Sequence, residues 1–243
     1  MGKFDGILLA SDFDGTLVWQ SHTPSEENIK AINYFIENGG LFTVSTGRTY
    51  EFIKKLNLPI NAPLITINGT CINDYDKILK TFTFSAEQLS EELFNSDNLQ
   101  HTFVFSPENE CNFPILTQSE INQINEPICK IVFCFSDEES AISFQNKFSK
   151  KYSSEFVFER SWPVGVEMLS KKGGKGTCLN IIKEMTNSRI TIAAGDFEND
   201  ISMLKAADIS YAPENALDSV KKIANRKGVH CKDNLIEYII NNI

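Results

Sequence analysis

Apolar positions along this chain follow two periods, and the balance between them changes with position. GILLASDF, residues 6–13, is a short, nearly unbroken apolar run, which predicts a strand buried on both faces. Thr23-Pro24-Ser25-Glu26 then predicts a helix start, with a capping box and proline at the first helical position. Ile29, Ile32, Phe35 and Ile36 mark one face of that helix, and Gly39-Gly40 ends it. LFTVST predicts a second strand, TYEFIKKL a short helix and LITI a third strand. The last third repeats the alternation: KGTCLNIIKEM helix, RITIAAGD strand, NDISMLKAA helix, ISYAP strand, then the helical stretches ALDSVKKIAN and NLIEYII. Strands alternating with helices imply a parallel sheet joined by right-handed crossovers.

The middle reads differently. From Phe82 to Val166 the strand candidates HTFVFS, ICKIVFCFS, SEFVFER and VGVEML come more densely. Helical stretches lie between them, among them AEQLSEELF and one opening at the capping box Ser136-Asp137-Glu138-Glu139. The expectation is an α/β core domain formed by residues 1–81 and 167–243, with an α+β domain inserted over 82–166.

Charge narrows the partners. Lys and Arg number 23 against 32 Asp and Glu, a net charge of -9, which disfavours nucleic acid and anionic membrane as partners. A site for a small anion in such a chain needs local cations or a metal. No apolar run approaches the ~18 residues that span a bilayer, and MGKFDGILLAS lacks the plan of a signal peptide, so a cytoplasmic protein is expected. The six cysteines form no CxxC pair, and Cys134 sits in the apolar run KIVFCF, so they read as reduced thiols.

Candidate chemistry clusters at predicted strand ends. The first strand runs into Asp12-Phe13-Asp14-Gly15, with both carboxylates on one side unless the backbone turns between them, and Gly15 free to turn sharply. Two close carboxylates raise each other's pKa unless a cation sits between them. RITIAAGD runs into Gly195-Asp196-Phe197-Glu198-Asn199-Asp200, so Asp196 and Asp200 add to an oxygen-rich cage suited to Mg²⁺. The second strand ends in Ser45-Thr46-Gly47-Arg48, where a hydroxyl, a small residue and a guanidinium suit phosphate binding. In Lys171-Lys172-Gly173-Gly174-Lys175-Gly176-Thr177 a Walker A reading fails, because Gly176 follows Lys175 and Ser170 stands where the first glycine belongs. Lys175 instead offers a cation at the mouth of a helix. Taken singly, each feature also reads as a turn, a cap or a solvated lysine; their order along the chain carries more.

DFDGTL, a strand ending STGR, a Lys-Gly-Thr helix start and GDFEND, in that order, resemble the four motifs of the haloacid dehalogenase-like superfamily. ITING at Ile65 to Gly69 and EMLSKKGGKGTCL at Glu167 to Leu179 are similar, more narrowly, to its Cof-type phosphatases. Where that group carries a Met-Gly-Asn-Ala run, this chain has Tyr211-Ala212-Pro213-Glu214-Asn215-Ala216 and keeps only Asn-Ala, which leaves the subgroup and substrate open. The resemblance implies a Rossmann-like parallel-sheet core with an inserted α+β cap domain of C2 type. It implies a Mg²⁺-dependent phosphatase acting on a small phosphorylated metabolite through an aspartyl-phosphate. Asp12 is then the nucleophile, Asp14 the acid and base, and Lys175 a catalytic cation. Thr46, Gly47, Arg48 and Asn199 bind phosphate or substrate, an ion pair holding the loop being the alternative for Arg48. Asp12, Asp14, Asp196 and Asp200 hold the metal. Arg160 and Trp162 stand near the return to the core as candidates for leaving-group contacts. The rivals are a phosphomutase or phosphotransferase, which passes the phosphoryl group to another hydroxyl, and a non-catalytic phosphate-ligand binding protein.

Overall fold

The computed structural model describes residues 2–20, 22–75, 77–107, 110–111, 118–121 and 123–243. Positions 108–109, 112–117 and 122 of the expected inserted domain lie outside the described residues, as does the side chain of Cys111. The chain divides into two compact units, Met1–Leu79 with Lys175–Ile243, and Lys80–Gly174.

Elements are numbered along the whole chain. In the first unit β1 (Ile7–Ser11), β2 (Leu41–Val44), β11 (Ile190–Ala194), β12 (Ile209–Ala212) and β13 (Arg226–Lys227) form a parallel sheet in the order β13-β12-β11-β1-β2. β1 lies at its centre, pairing Leu9 with Ile192 on one side and with Phe42 on the other. Burial on both faces explains its apolar sequence: Leu8, Leu9 and Ala10 are all fully buried. Helices α1 (Glu26–Glu37) and α8 (Leu235–Asn241) pack together through Ile32, Phe35, Ile236 and Ile239. Helices α5 (Lys175–Met185) and α6 (Ile201–Ala206) form a second pair, burying Cys178, Leu179, Ile182, Met203 and Leu204. The short helices α2 (Tyr50–Lys55) and α7 (Asp218–Lys221) complete this unit.

The cap of α1 departs from the expected one. Its N-cap is Ser25, whose side chain accepts from Asn28 N, and not Thr23. The Ser25 hydroxyl reaches that orphan amide at 3.2 Å and wins the position, leaving Pro24 before the helix. CINDYDKILKT, unassigned from its pattern, forms β4 (Cys71–Asp74) and β5 (Lys77–Thr81), which join β3 (Leu64–Thr66) in a small antiparallel sheet.

The second unit holds an antiparallel sheet in the order β7-β6-β8-β10-β9, from β6 (Leu99–Phe105), β7 (Glu110–Cys111), β8 (Lys130–Phe135), β9 (Phe156–Trp162) and β10 (Gly165–Ser170). Alternation sets its faces. Ile131, Phe133 and Phe135 of β8 and Phe156 and Phe158 of β9 join one core with Phe144 and Phe148 of α4 (Glu138–Lys151). The rings meet at 4.8 Å for Phe133–Phe144 and 4.5 Å for Phe144–Phe148. Asp137, not Ser136, caps α4, accepting from Ser140 N at 2.7 Å while Ser136 Oγ donates to it. AEQLSEELF forms two short 3₁₀ turns, Ala86–Gln88 and Glu91–Leu93, broken where Leu89 is extended. Nine residues are too few to sustain a helix by propensity, and the two turns still bury Ala86, Leu89 and Leu93 in the core. A short α3 (Gln118–Ile121) precedes β8. The architecture is thus an α/β parallel-sheet core with an inserted α+β unit.

Candidate active site

In the core sheet the chain leaves β1 toward β2 on one side, while β11 and β12 lie on the other, so the strand order reverses at β1. Ligands of open parallel sheets bind at such a reversal, beyond the carboxyl ends of the strands. Asp12 follows β1 directly, and its backbone N–H still donates to Ala194 O of β11 at 2.9 Å. Asp196 and Asp200 follow β11 by the same logic. Carboxylate oxygens of Asp12, Asp196 and Asp200 lie within 4.8 Å of one another.

Lys175, the first residue of α5, enters this cluster fully buried. Its Nζ donates to Asp12 Oδ1 at 2.6 Å and to Asp200 Oδ1 at 2.7 Å. Burial alone would drive the ammonium toward neutrality; Asp12 and Asp200 outweigh it and hold the group well above its ordinary pKa. One cation does not balance three acids. Burial, then the Asp200 carboxylate, pushes Asp12 well above the usual carboxylate range against the pull of Lys175. Burial and Asp200 likewise push Asp196 up to about 7, against a hydrogen bond from Thr16.

The supports are specific. Asp200 spends its second oxygen on the backbone, accepting from Asp196 N at 2.9 Å and Phe197 N at 3.1 Å, so it braces the loop and orients Lys175 together. Thr16 Oγ1 donates to Asp196 Oδ1 at 2.8 Å. Gly15 has φ +85°, and a Cβ there would stand 2.4 Å from Asp196 Oδ2. Only glycine lets this turn wrap the carboxylate so closely. Such a cradle of acidic oxygens fits a small hard cation.

Asp14 lies apart from the buried cluster. Its half-exposed carboxylate is gripped by Arg48, whose Nε donates to Oδ2 at 2.8 Å and Nη2 to Oδ1 at 2.9 Å. The Arg48 guanidinium also stacks 4.8 Å from the centre of the Phe52 ring. Arg48 therefore stands in the ion pair the sequence left as its alternative. Thr46 is buried, and its Oγ1 accepts from Arg48 N at 3.1 Å. Asn199 is buried one residue before Asp200, donating through Nδ2 to Asn68 Oδ1 at 3.1 Å. In the second unit, the buried Arg160 donates to Glu138 at 2.8 Å and to Pro163 O, an internal tie.

Three contributors were not singled out from sequence: Thr16, Asn68 and Asn215. Asn215 Nδ2 donates to Gly15 O at 2.8 Å while its Oδ1 accepts from Cys231 N, so it anchors the turn around Asp196. The available signals were ITING, and the Asn-Ala pair kept where the rest of its motif is lost.

The family model of haloacid dehalogenase-like hydrolases matches residues 9–113 and 100–240. The 5-amino-6-(5-phospho-D-ribitylamino)uracil phosphatase YcsE of Bacillus subtilis (strain 168) is 28% identical over 227 residues, covering 90% of this chain and 88% of that protein. A second phosphatase of that name, YwtE from the same organism, is 24% identical over 97% of each chain. Among solved structures, a haloacid dehalogenase-like hydrolase from B. subtilis superposes with a TM-score of 0.82 at 23% identity, covering 97% of this chain and 99% of that one. The subclass IIB sugar phosphatase BT4131 shares the fold with a TM-score of 0.81 at 19% identity, over 97% and 98% of the two chains. Among the described residues, no helix is long and apolar enough to cross a membrane. The family match runs through both segments of the parallel-sheet core, and this chain belongs to the haloacid dehalogenase-like hydrolases, as one of their phosphatases.

Proposed function

We propose that this phosphatase hydrolyses the phosphate monoester of a small metabolite, a sugar phosphate or related molecule, through an aspartyl-phosphate on Asp12. The observation that carries this reading is the buried Lys175 ammonium, 2.6 Å from Asp12 and 2.7 Å from Asp200, at the strand ends of a parallel sheet. An attacking carboxylate and a phosphate dianion repel each other, and fixed cations beside the nucleophile are what such a reaction requires.

Asp12 attacks phosphorus, the ester P–O bond breaks, and Asp14 gives its proton to the departing alkoxide. Asp14 then takes a proton from water, whose oxygen attacks the same phosphorus and releases phosphate with Asp12 restored. To serve in this way Asp14 exchanges its Arg48 partner for the leaving group. Lys175, Thr46, Gly47 and Asn199 bind the phosphate oxygens, and Arg48 stands at the rim where it can meet substrate. Asp12, the Asp14 backbone, Asp196 and Asp200 would hold Mg²⁺, which when bound would neutralise charge between nucleophile and phosphate. By the same reading residues 82–166 form a C2-type cap that selects the leaving group. The similar phosphatases named for a phosphorylated ribityl compound and for sugars support a phosphorylated polyol or sugar as the substrate class.

The test is phosphate release from a broad panel of phosphate esters, with and without Mg²⁺, beside Asp12→Asn. Release that requires both Mg²⁺ and Asp12 is expected, with near-complete loss in the variant. Transfer to an added sugar hydroxyl in preference to water would replace hydrolysis with phosphotransfer.

A further inference from the structure

One buried side chain joins two of the loops to which phosphate binding is assigned. Asn68 is fully buried and left-handed, with φ 54° and ψ 39°, and its neighbours Ile67 and Gly69 have φ 50° and 80°. Isoleucine in that region is a backbone outlier, of a kind that persists only where surrounding contacts hold it. The contacts are present. Ile67 N donates to Arg48 O at 3.0 Å and Asn68 N to Thr46 O at 2.9 Å, lacing this turn to the loop after β2. The Asn68 amide lies against Gly47, where an added Cβ would stand 3.1 Å from its Oδ1. On its other side the same Oδ1 accepts from Asn199 Nδ2, in the loop after β11.

An amide is planar, with two N–H bonds and one carbonyl in fixed directions. Holding one N–H of Asn199 therefore restrains where its second N–H can point. Asparagine suits the post because it tolerates the left-handed backbone and carries a short acceptor. From this we infer that Asn68 is a positioning residue: it locks the Asn199 amide and fixes it relative to Thr46 and Gly47, so that both loops meet the phosphate in one geometry. The inference rests on the phosphatase reading above and extends it to a residue that touches no reacting atom.

The test is a double-mutant cycle of Asn68→Gly and Asn199→Ala in the full chain. It is read in kcat and KM on the best ester of the panel, and in affinity for inorganic phosphate by calorimetry. Glycine keeps the left-handed backbone, so thermal melting shows whether the fold has held. Asn68→Gly is expected to lower kcat about tenfold, with less change in KM, and to lose that effect once Asn199 is alanine, as residues in one hydrogen-bond network do. Additive losses in the two backgrounds, or a lower melting temperature with kcat unchanged, overturn the inference. A chain that binds phosphate but hydrolyses no ester sinks the phosphatase reading, while the cycle in phosphate affinity still decides the role of Asn68. A chain that does neither overturns both.

Discussion

Among the described residues two lysines are buried, one in each unit, and both meet carboxylates. Lys130 pairs with Glu167 at 3.2 Å across adjacent antiparallel strands and lies 4.5 Å from the centre of the Phe105 ring. Lys175 stands among Asp12, Asp196 and Asp200, one ammonium with three. Taking charge out of water is costly unless a partner compensates it. The pair in the inserted unit ties two strands of its sheet together. The cluster in the core crowds three carboxylates around one ammonium, an arrangement that a bound cation would relieve.

Breaking the pair in the inserted unit should give the largest effect on stability. Lys130→Met removes the ammonium beside the buried Glu167 and should lower unfolding stability by about 3–5 kcal/mol in urea denaturation, whereas Lys130→Met with Glu167→Leu should recover most of it. A single variant as stable as the parent chain would show that the pair contributes nothing to the fold. Lys175→Met should act on turnover instead, lowering kcat by about 10²–10³, or ~2.7–4 kcal/mol of barrier. A loss under about tenfold would remove Lys175 from the catalytic group.

Mg²⁺ sharpens the contrast. At a hundred times its dissociation constant it should add about 2.7 kcal/mol to the stability of the parent chain. Calorimetric melting should show that gain vanish in Asp196→Asn and survive in Lys130→Met. The smallest effect belongs to an exposed pair. Asp208 accepts from Lys183 Nζ, Thr191 N and Thr191 Oγ1, each at 2.8 Å, and these bonds, the one from Lys183 first, hold its carboxyl below the usual range. Its contribution is therefore present above the unfolded carboxylate pKa and is lost as pH falls through the lowered folded value. Because the group is half exposed, Asp208→Asn should cost about 1 kcal/mol at neutral pH. The difference from the parent chain should close in acid, as pH-dependent melting would report.

Much of the fold was legible because local signals agreed with tertiary ones. KGTCLNIIKEM reads as a helix and α5 spans those residues, and RITIAAGD reads as a strand and contains β11. Where two local signals competed, the sequence misled. Thr23 and Ser25 both offer caps to α1, and only hydroxyl-to-amide geometry chooses Ser25. β5 has every residue exposed, so it carries no period to read; its pairing in the small sheet makes it a strand. That Asp12, Asp196 and Asp200 lie at strand ends was legible; that the Asp14 carboxylate turns to Arg48 instead of joining them was not. That Lys175 is fully buried was not, since a lysine beside two glycines reads equally well as solvent-exposed. Asn68 falls within ITING, but its hydrogen bond joins it to a partner 131 residues away that no local pattern marks.

The clasp between Thr16 and Asp196 joins positions 180 residues apart, with the whole inserted unit between them. During synthesis at about 5–20 residues per second, the first strand waits roughly 10–40 s before its central partner leaves the ribosome. The inserted unit is complete before then, and its own strands can pair first. The nascent core meanwhile presents β1 and β2 with one edge open, a template for mispairing in a crowded cell. The connectivity that places both acidic loops at one sheet reversal thus makes this half of the molecule the late and vulnerable one to fold.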